Sequence, residues 1–113
     1  VSVFPRVPPI AATPDQQHKA DGGKYRPSLL PWAALPYALE VLEFGAKKYA
    51  PHSWAKVEPD RYVEALGRHV IEFLDRYPKE GLSMRDHESG LLTLSHIACN
   101  VLFLLAHPKR GQP

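Results

Sequence analysis

The sequence predicts an all-α bundle of three or more helices, preceded by an extended N-terminal arm and completed by oligomerisation. Three observations carry that expectation. Three long stretches repeat their apolar residues at the helical spacing of three and four. Segments bearing proline and glycine separate them. No stretch alternates apolar and polar residues as a half-buried strand does. In a chain of 113 residues, three such helices make one core rather than two.

The arm is residues 1–20, where Pro5, Pro8, Pro9 and Pro14 interrupt a segment with no sustained period. A helical domain, residues 21–113, follows it and opens on the loop "DGGKYRPSLLP" (21–31). The first helix is expected from about Pro31 to Tyr49, with Pro36 a candidate for the true first turn, where proline is tolerated. "APHSW" and "VEPD" then break the chain. A second helix begins after Pro59, carries Asp60 in its first turn and closes near Tyr77, ahead of Pro78. The loop "PKEGLSMRDHESG" leads to a third helix from about Ser89 to Ala106, which Pro108 stops.

Composition narrows the function classes. An apolar share of 44% with 23% charged residues is globular. A net charge of +2 is too small for a duplex-DNA binder, so no nucleic-acid partner is expected. The single cysteine, Cys99, excludes an internal disulfide, as suits a reducing compartment. The longest apolar run, Val101 to Ala106, is far short of a membrane span. The opening "VSVFPRVPPIAATP" lacks the basic-then-apolar layout of a signal peptide. The expectation is a soluble, cytoplasmic domain with no membrane partner.

At about 100° per residue, the first helix is apolar on two sides. Leu35, Leu39, Leu42, Ala46 and Tyr49 share one face; Tyr37, Val41 and Phe44 lie nearly opposite. Ala34, Ala38 and Gly45 line one edge between them, and Glu40, Glu43 and Lys47 line the other. Those carboxylates are either a solvated rim, with Glu43 and Lys47 as an i,i+4 pair, or a site for something positive. On the second helix Tyr62, Leu66, Val70, Phe73 and Leu74 fill an apolar arc, and His69 sits at its boundary, one turn from Glu72. The third helix is apolar almost all round, apart from a stripe of Ser89, Thr93, His96 and Asn100. Buried polar groups need partners, at a cost of roughly 1–3 kcal/mol each when unmet. The stripe is therefore either a closed structural network or the wall of a pocket. Three helices also leave apolar surface over, which is why a homo-oligomer, dimer or tetramer, is expected.

Glu40-Val-Leu-Glu43 and Glu72-Phe-Leu-Asp75 each place two carboxylates one turn apart on consecutive helices. Four facing carboxylates repel unless divalent cations neutralise them. Oxygen ligands of this kind suit Mg²⁺ or Mn²⁺, which clamp substrate phosphates.

The stretches "KYRPSLLPWAALPYALEVLEFGAKKYAPHSW", "RYVEALGRHV" and "ESGLLTLSHIACNVLFLL" together resemble the MazG-like nucleoside triphosphate pyrophosphohydrolases, in their phage-type dATP/dGTP diphosphohydrolase branch. The likeness covers roughly residues 21 to 106. It implies an all-α, oligomeric enzyme that uses Mg²⁺ or Mn²⁺ to hydrolyse a deoxynucleoside triphosphate, dGTP or dATP, to monophosphate and pyrophosphate. A role in nucleotide supply for phage genomes carrying 2-aminoadenine is implied with it, and so is the cytoplasm of a host cell.

Carried over by position, Glu40 and Glu43 match the first metal-ligand pair, and either of them would orient or deprotonate the attacking water. Glu72 and Asp75 satisfy the second pair, with Glu88, His96 and Asn100 as competitors. Thr93 stands where that branch often has histidine. Lys24, Arg26, Lys47 and Lys48 are candidate phosphate contacts, or solvating surface charges. His52 and Trp54 border the base, or Trp54 plugs the core; His69 orients a phosphate as part of the catalytic set, or is a core histidine; His96 and Asn100 are further substrate contacts. The rival readings are a non-catalytic helical oligomerisation module, and a regulatory module that binds nucleotide without turnover.

Overall fold

The computed structural model describes residues 22–112. The extended arm expected over residues 1–20 lies outside them. The chain divides at Trp32/Ala33 into two units. The described part of the first unit holds a short 3-10 turn, Pro27–Leu29, opened by Pro27 and closed where the Leu30 N–H donates to the Pro27 carbonyl. The second unit holds three α-helices in order: α1 (Leu35–Lys48), α2 (Pro59–Glu80) and α3 (Thr93–Ala106). Among the described residues there is no strand, and the one isolated bridge joins Arg85 to Leu92. The architecture is all-α, as the sequence predicts.

Helix α1 starts four residues later than expected, with Pro36 in its first turn, where its missing N–H costs nothing. Its last turn carries Lys47 and Lys48, cations set against the negative end of the helix dipole. Helix α2 begins at Pro59 with Asp60 in the first turn and runs about 33 Å at 1.5 Å per residue. It does not stop before Pro78, as the sequence suggested, but continues through it to Glu80. A proline this near the end removes a single i→i−4 bond, and the stop signal is Gly81, at φ +68°.

Helix α3 is four residues shorter than expected at its start. Ser89 is outside it because the Asp86 carboxylate captures the Ser89 N–H at 2.9 Å, and the Ser89 hydroxyl accepts from the Leu91 N–H at 3.1 Å. These local bonds offer the backbone an alternative to the helix.

Helix α3 packs against both α1 and α2. On α1 the buried residue is Val41, and the Cys99 thiol of α3 reaches the Ala38 carbonyl at 3.3 Å. The small-residue edge of α1 is thus where the two helices approach. Met84 and Cys99 are almost fully buried, with Thr93, Ser95, Asn100 and His107 beside them in the interior.

The loop between α1 and α2 is tied down by aromatics. Trp54 stacks on Phe103 with centroids 5.4 Å apart, the Tyr62 hydroxyl donates to the Trp54 carbonyl at 2.9 Å, and His107 sits edge-on to both rings. His107 Nε2 lies 2.7 Å from the Val57 carbonyl, while its Nδ1 accepts from the Lys109 N–H at 3.1 Å. One ring nitrogen must donate and the other accept, so His107 is held as the neutral Nε2–H tautomer.

Candidate functional site

The α2–α3 seam brings together the polar groups that the sequence scattered. His69 on α2 turns inward; Glu72, one turn on, follows it. Asp86 comes from the loop before α3. One ligand atom from each of His69, Glu72 and Asp86 lies within 4.8 Å of the others, a group able to hold a metal ion. The His69 Nδ1 is buried and has no hydrogen-bond partner among the described residues, and it sits 3.9 Å from a Glu72 oxygen. A buried, unpaired imidazole nitrogen beside a carboxylate, in a group with a second one, suits a cation ligand.

Asp86 is fixed by its own turn. Its Oδ2 accepts from the Glu88 N–H (3.1 Å), the Ser89 N–H (2.9 Å) and the Ser89 hydroxyl (3.1 Å). Those bonds occupy one carboxylate oxygen and leave Oδ1 outside them. Burial pushes the Asp86 carboxyl up, but the bonds from Ser89, with His96 and His69 nearby, together outweigh it and hold the group below its ordinary value.

The Ser89 oxygen also lies 2.6 Å from His96 Nε2. His96 stacks on His69, with centroids 5.0 Å apart and ring planes 15° apart. Burial holds His96 below the ordinary imidazole value and His69 adds to this, against Asp86, Glu88 and Glu72, which act the other way. Asn100 is buried and donates to the His96 carbonyl at 3.0 Å. Thr93 is completely buried, and its hydroxyl has no partner among the described residues.

Glu72 is held from the other side by Arg76, whose guanidinium also takes both Glu80 oxygens, at 2.6 and 2.8 Å, and the Arg85 carbonyl at 2.9 Å. Next to this array is an open cavity of about 560 Å³, lined by Arg76, Glu80, Met84, Arg85, Asp86 and His87 among others. Asp86 is common to the cavity wall and the metal-capable group.

The other candidates stand elsewhere. Glu40 and Glu43 are exposed on α1 together with Lys47, and they belong to no described cluster of histidines and acids. Asp75 is exposed on the outer side of α2, so the Glu72/Asp75 spacing does not bring both carboxylates to one place. Glu88 turns to Lys48 at 3.0 Å, which ties the end of α1 to the loop and raises the lysine's pKa through that hydrogen bond. His52 is exposed in a left-handed conformation, φ +63°. Trp54 is half-buried and stacks on Phe103. Lys24 and Arg26 are exposed in the first unit.

Asp86 is the functional candidate that the sequence pattern did not single out. Its signal was the Asp-x-x-Ser spacing, which sets up a turn whose carboxylate captures backbone N–H groups.

The family model described as dATP/dGTP diphosphohydrolase, N-terminal, matches residues 14–112. A dATP/dGTP diphosphohydrolase of Salmonella phage PMBT28 is 30% identical over 86 residues, covering 76% of this chain and 28% of that protein. The chain therefore matches well under half the length of this curated relative. No solved structure matches.

Proposed function

The chain belongs to the dATP/dGTP diphosphohydrolase N-terminal family, and from that premise we propose that it hydrolyses a purine deoxynucleoside triphosphate to its monophosphate and pyrophosphate, with a divalent cation held by His69, Glu72 and Asp86. The observation that carries this reading is the orphaned His69 Nδ1 beside the Glu72 carboxylate, in a group that Asp86 completes. One imidazole and two carboxylates fit Mn²⁺ better than Mg²⁺, because Mg²⁺ prefers oxygen donors alone. Bound there, the cation supplies charge neutralisation for the phosphates and a more acidic water.

The chain's own groups do the rest. Ser89 and the Glu88 N–H hold Asp86 by its Oδ2 and leave Oδ1 outside their bonds. Arg76 fixes Glu72. Asp86, kept ionised, is the carboxylate to receive a proton from the attacking water. With its one hydroxyl hydrogen given to Asp86, Ser89 accepts from the Nε2–H of the neutral His96, which steadies the turn that holds Asp86. The cavity beside Asp86 receives the phosphate end, with Arg85 and Arg76 facing its charge. Glu40 and Glu43 remain outside this group.

Exposed apolar side chains support an oligomer as well. Ile71, Leu74, Leu82 and Leu105 are each more than 60% exposed in the protomer, apolar surface that a second subunit can cover. No helix of the described residues is long and apolar enough to cross a membrane, so a lipid surface spanned by a helix does not account for it.

The test is incubation with each of the four deoxynucleoside triphosphates and Mn²⁺ or Mg²⁺, with the products resolved. Monophosphate plus pyrophosphate from dATP or dGTP, lost in Asp86→Asn, is the expected outcome. No turnover of any of the four contradicts the proposal.

A further inference from the structure

The outward face of α2 is built for something other than the protomer's own core. Tyr62, Leu66, His69 and Phe73 turn inward, and Ile71 points directly away from them, 70% exposed. Around Ile71, at 100° per residue, Val63, Gly67 and Leu74 form one edge of the outer face. Glu64, Arg68, Asp75 and Lys79 form the other. Val63 and Leu74 are 52% and 66% exposed. All four charged residues are exposed, and none has an ion-pair partner among the described residues.

The charged edge has a symmetry in its order. Arg68 and Asp75 lie equally far from a point midway between residues 71 and 72, and so do Glu64 and Lys79. In each pair the signs are opposite. A two-fold axis through that point, perpendicular to the helix, brings a second α2 alongside in the reverse direction and keeps like edges together. Every charge on the edge then meets its opposite, and the apolar edge meets itself. A parallel pairing, about a two-fold along the helix, would instead set the charged edge against the apolar one and leave these charges without partners. The pattern is thus complementary to its own reverse.

Gly67 is a second, independent observation. Glycine within a helix is disfavoured relative to alanine, so packing usually explains one. Here a Cβ at Gly67 would meet nothing within 4 Å in the protomer. The missing side chain makes room beside Ile71 and Leu74 where a neighbouring helix can come close.

We propose that the outer face of α2 is the contact between two copies of this chain, crossing antiparallel about Ile71, with Arg68 opposite the partner's Asp75 and Glu64 opposite the partner's Lys79. The proposal deepens the oligomer reading given above, on which it rests, and needs nothing from the metal group.

Sedimentation velocity across a concentration series tests it, on the full chain and on Arg68→Glu, Asp75→Arg and the double swap. Because the axis repeats each contact, either single reversal should weaken the dimer about tenfold or more, and the double swap should restore it. With Ile71→Cys beside the axis, mild oxidation should trap a covalent dimer; the native Cys99 is buried. A wild-type chain that stays monomeric throughout removes the oligomer reading and the interface with it. A wild-type dimer that both single reversals leave unchanged, that the double swap fails to restore, or that Ile71→Cys fails to trap overturns this interface alone.

Discussion

The rings of His69 on α2 and His96 on α3 stack with centroids 5.0 Å apart and planes 15° apart, which joins the two helices at the metal-capable group. Two imidazoles this close resist being charged together, and burial of His96 acts in the same direction.

A pH dependence of stability follows from His96. Its folded pKa is depressed, so the unfolded chain takes up the proton first. Stability is then full above the ordinary imidazole value of 6.5 and is lost as pH falls through it towards the folded value. Asp86 adds a second loss at lower pH, because its carboxyl is held below its ordinary 3.8. Urea unfolding between about pH 8 and 5.5 should show declining stability, and His96→Gln should flatten that decline. A wild-type profile that is flat or rises on acidification contradicts it.

Ser89 orients Asp86 without joining the group of metal-capable atoms. Ser89→Ala should keep the helical circular dichroism and weaken Mn²⁺ binding about tenfold or more, the usual effect of losing a group that holds a ligand in place. Calorimetric titration with Mn²⁺ reads it directly. Unchanged affinity would mean that Asp86 does not depend on this turn.

His107 closes the loop between α1 and α2 by using both of its ring nitrogens. His107→Phe preserves the ring contacts with Trp54 and Tyr62 but loses both bonds, and should cost about 1–3 kcal/mol. Urea unfolding at neutral pH measures the loss.

Thr93 predicts the opposite sign. Its hydroxyl is buried without a partner among the described residues, so Thr93→Val removes an unmet polar group at nearly the same shape. The change should leave stability unchanged or raise it by about 1 kcal/mol. A loss of several kcal/mol would reveal a partner for that hydroxyl.

Much of the fold could be read from the sequence, because helical periodicity and proline breaks are local signals. Of the three displaced boundaries, the end of α2 and the start of α3 came from competition between local forces. Asp86 and Ser89 draw the backbone away from helix ahead of Thr93, and Gly81 outranks Pro78 as the end of α2.

The site was only half legible. His69 and His96 stood out as polar residues on or beside apolar helix faces, and Glu72 through its one-turn spacing from Asp75. Asp86 did not, because its role arises from a turn that places a loop carboxylate beside two helices. The one-turn spacing of Glu72 and Asp75 leaves them in different surroundings for a geometric reason. Three residues turn the helix by about 300°, and that is enough to leave Glu72 half-buried on the inner side and Asp75 exposed on the outer one.

The central claim is that His69, Glu72 and Asp86, rather than Glu40 and Glu43, hold the cation. The most direct measurement is Mn²⁺ binding, followed by electron paramagnetic resonance, to the wild-type chain, Glu72→Gln and Glu43→Gln. The account predicts binding in the wild type, near-wild-type affinity in Glu43→Gln and at least about tenfold weaker binding in Glu72→Gln. Full affinity in Glu72→Gln together with loss in Glu43→Gln would contradict it.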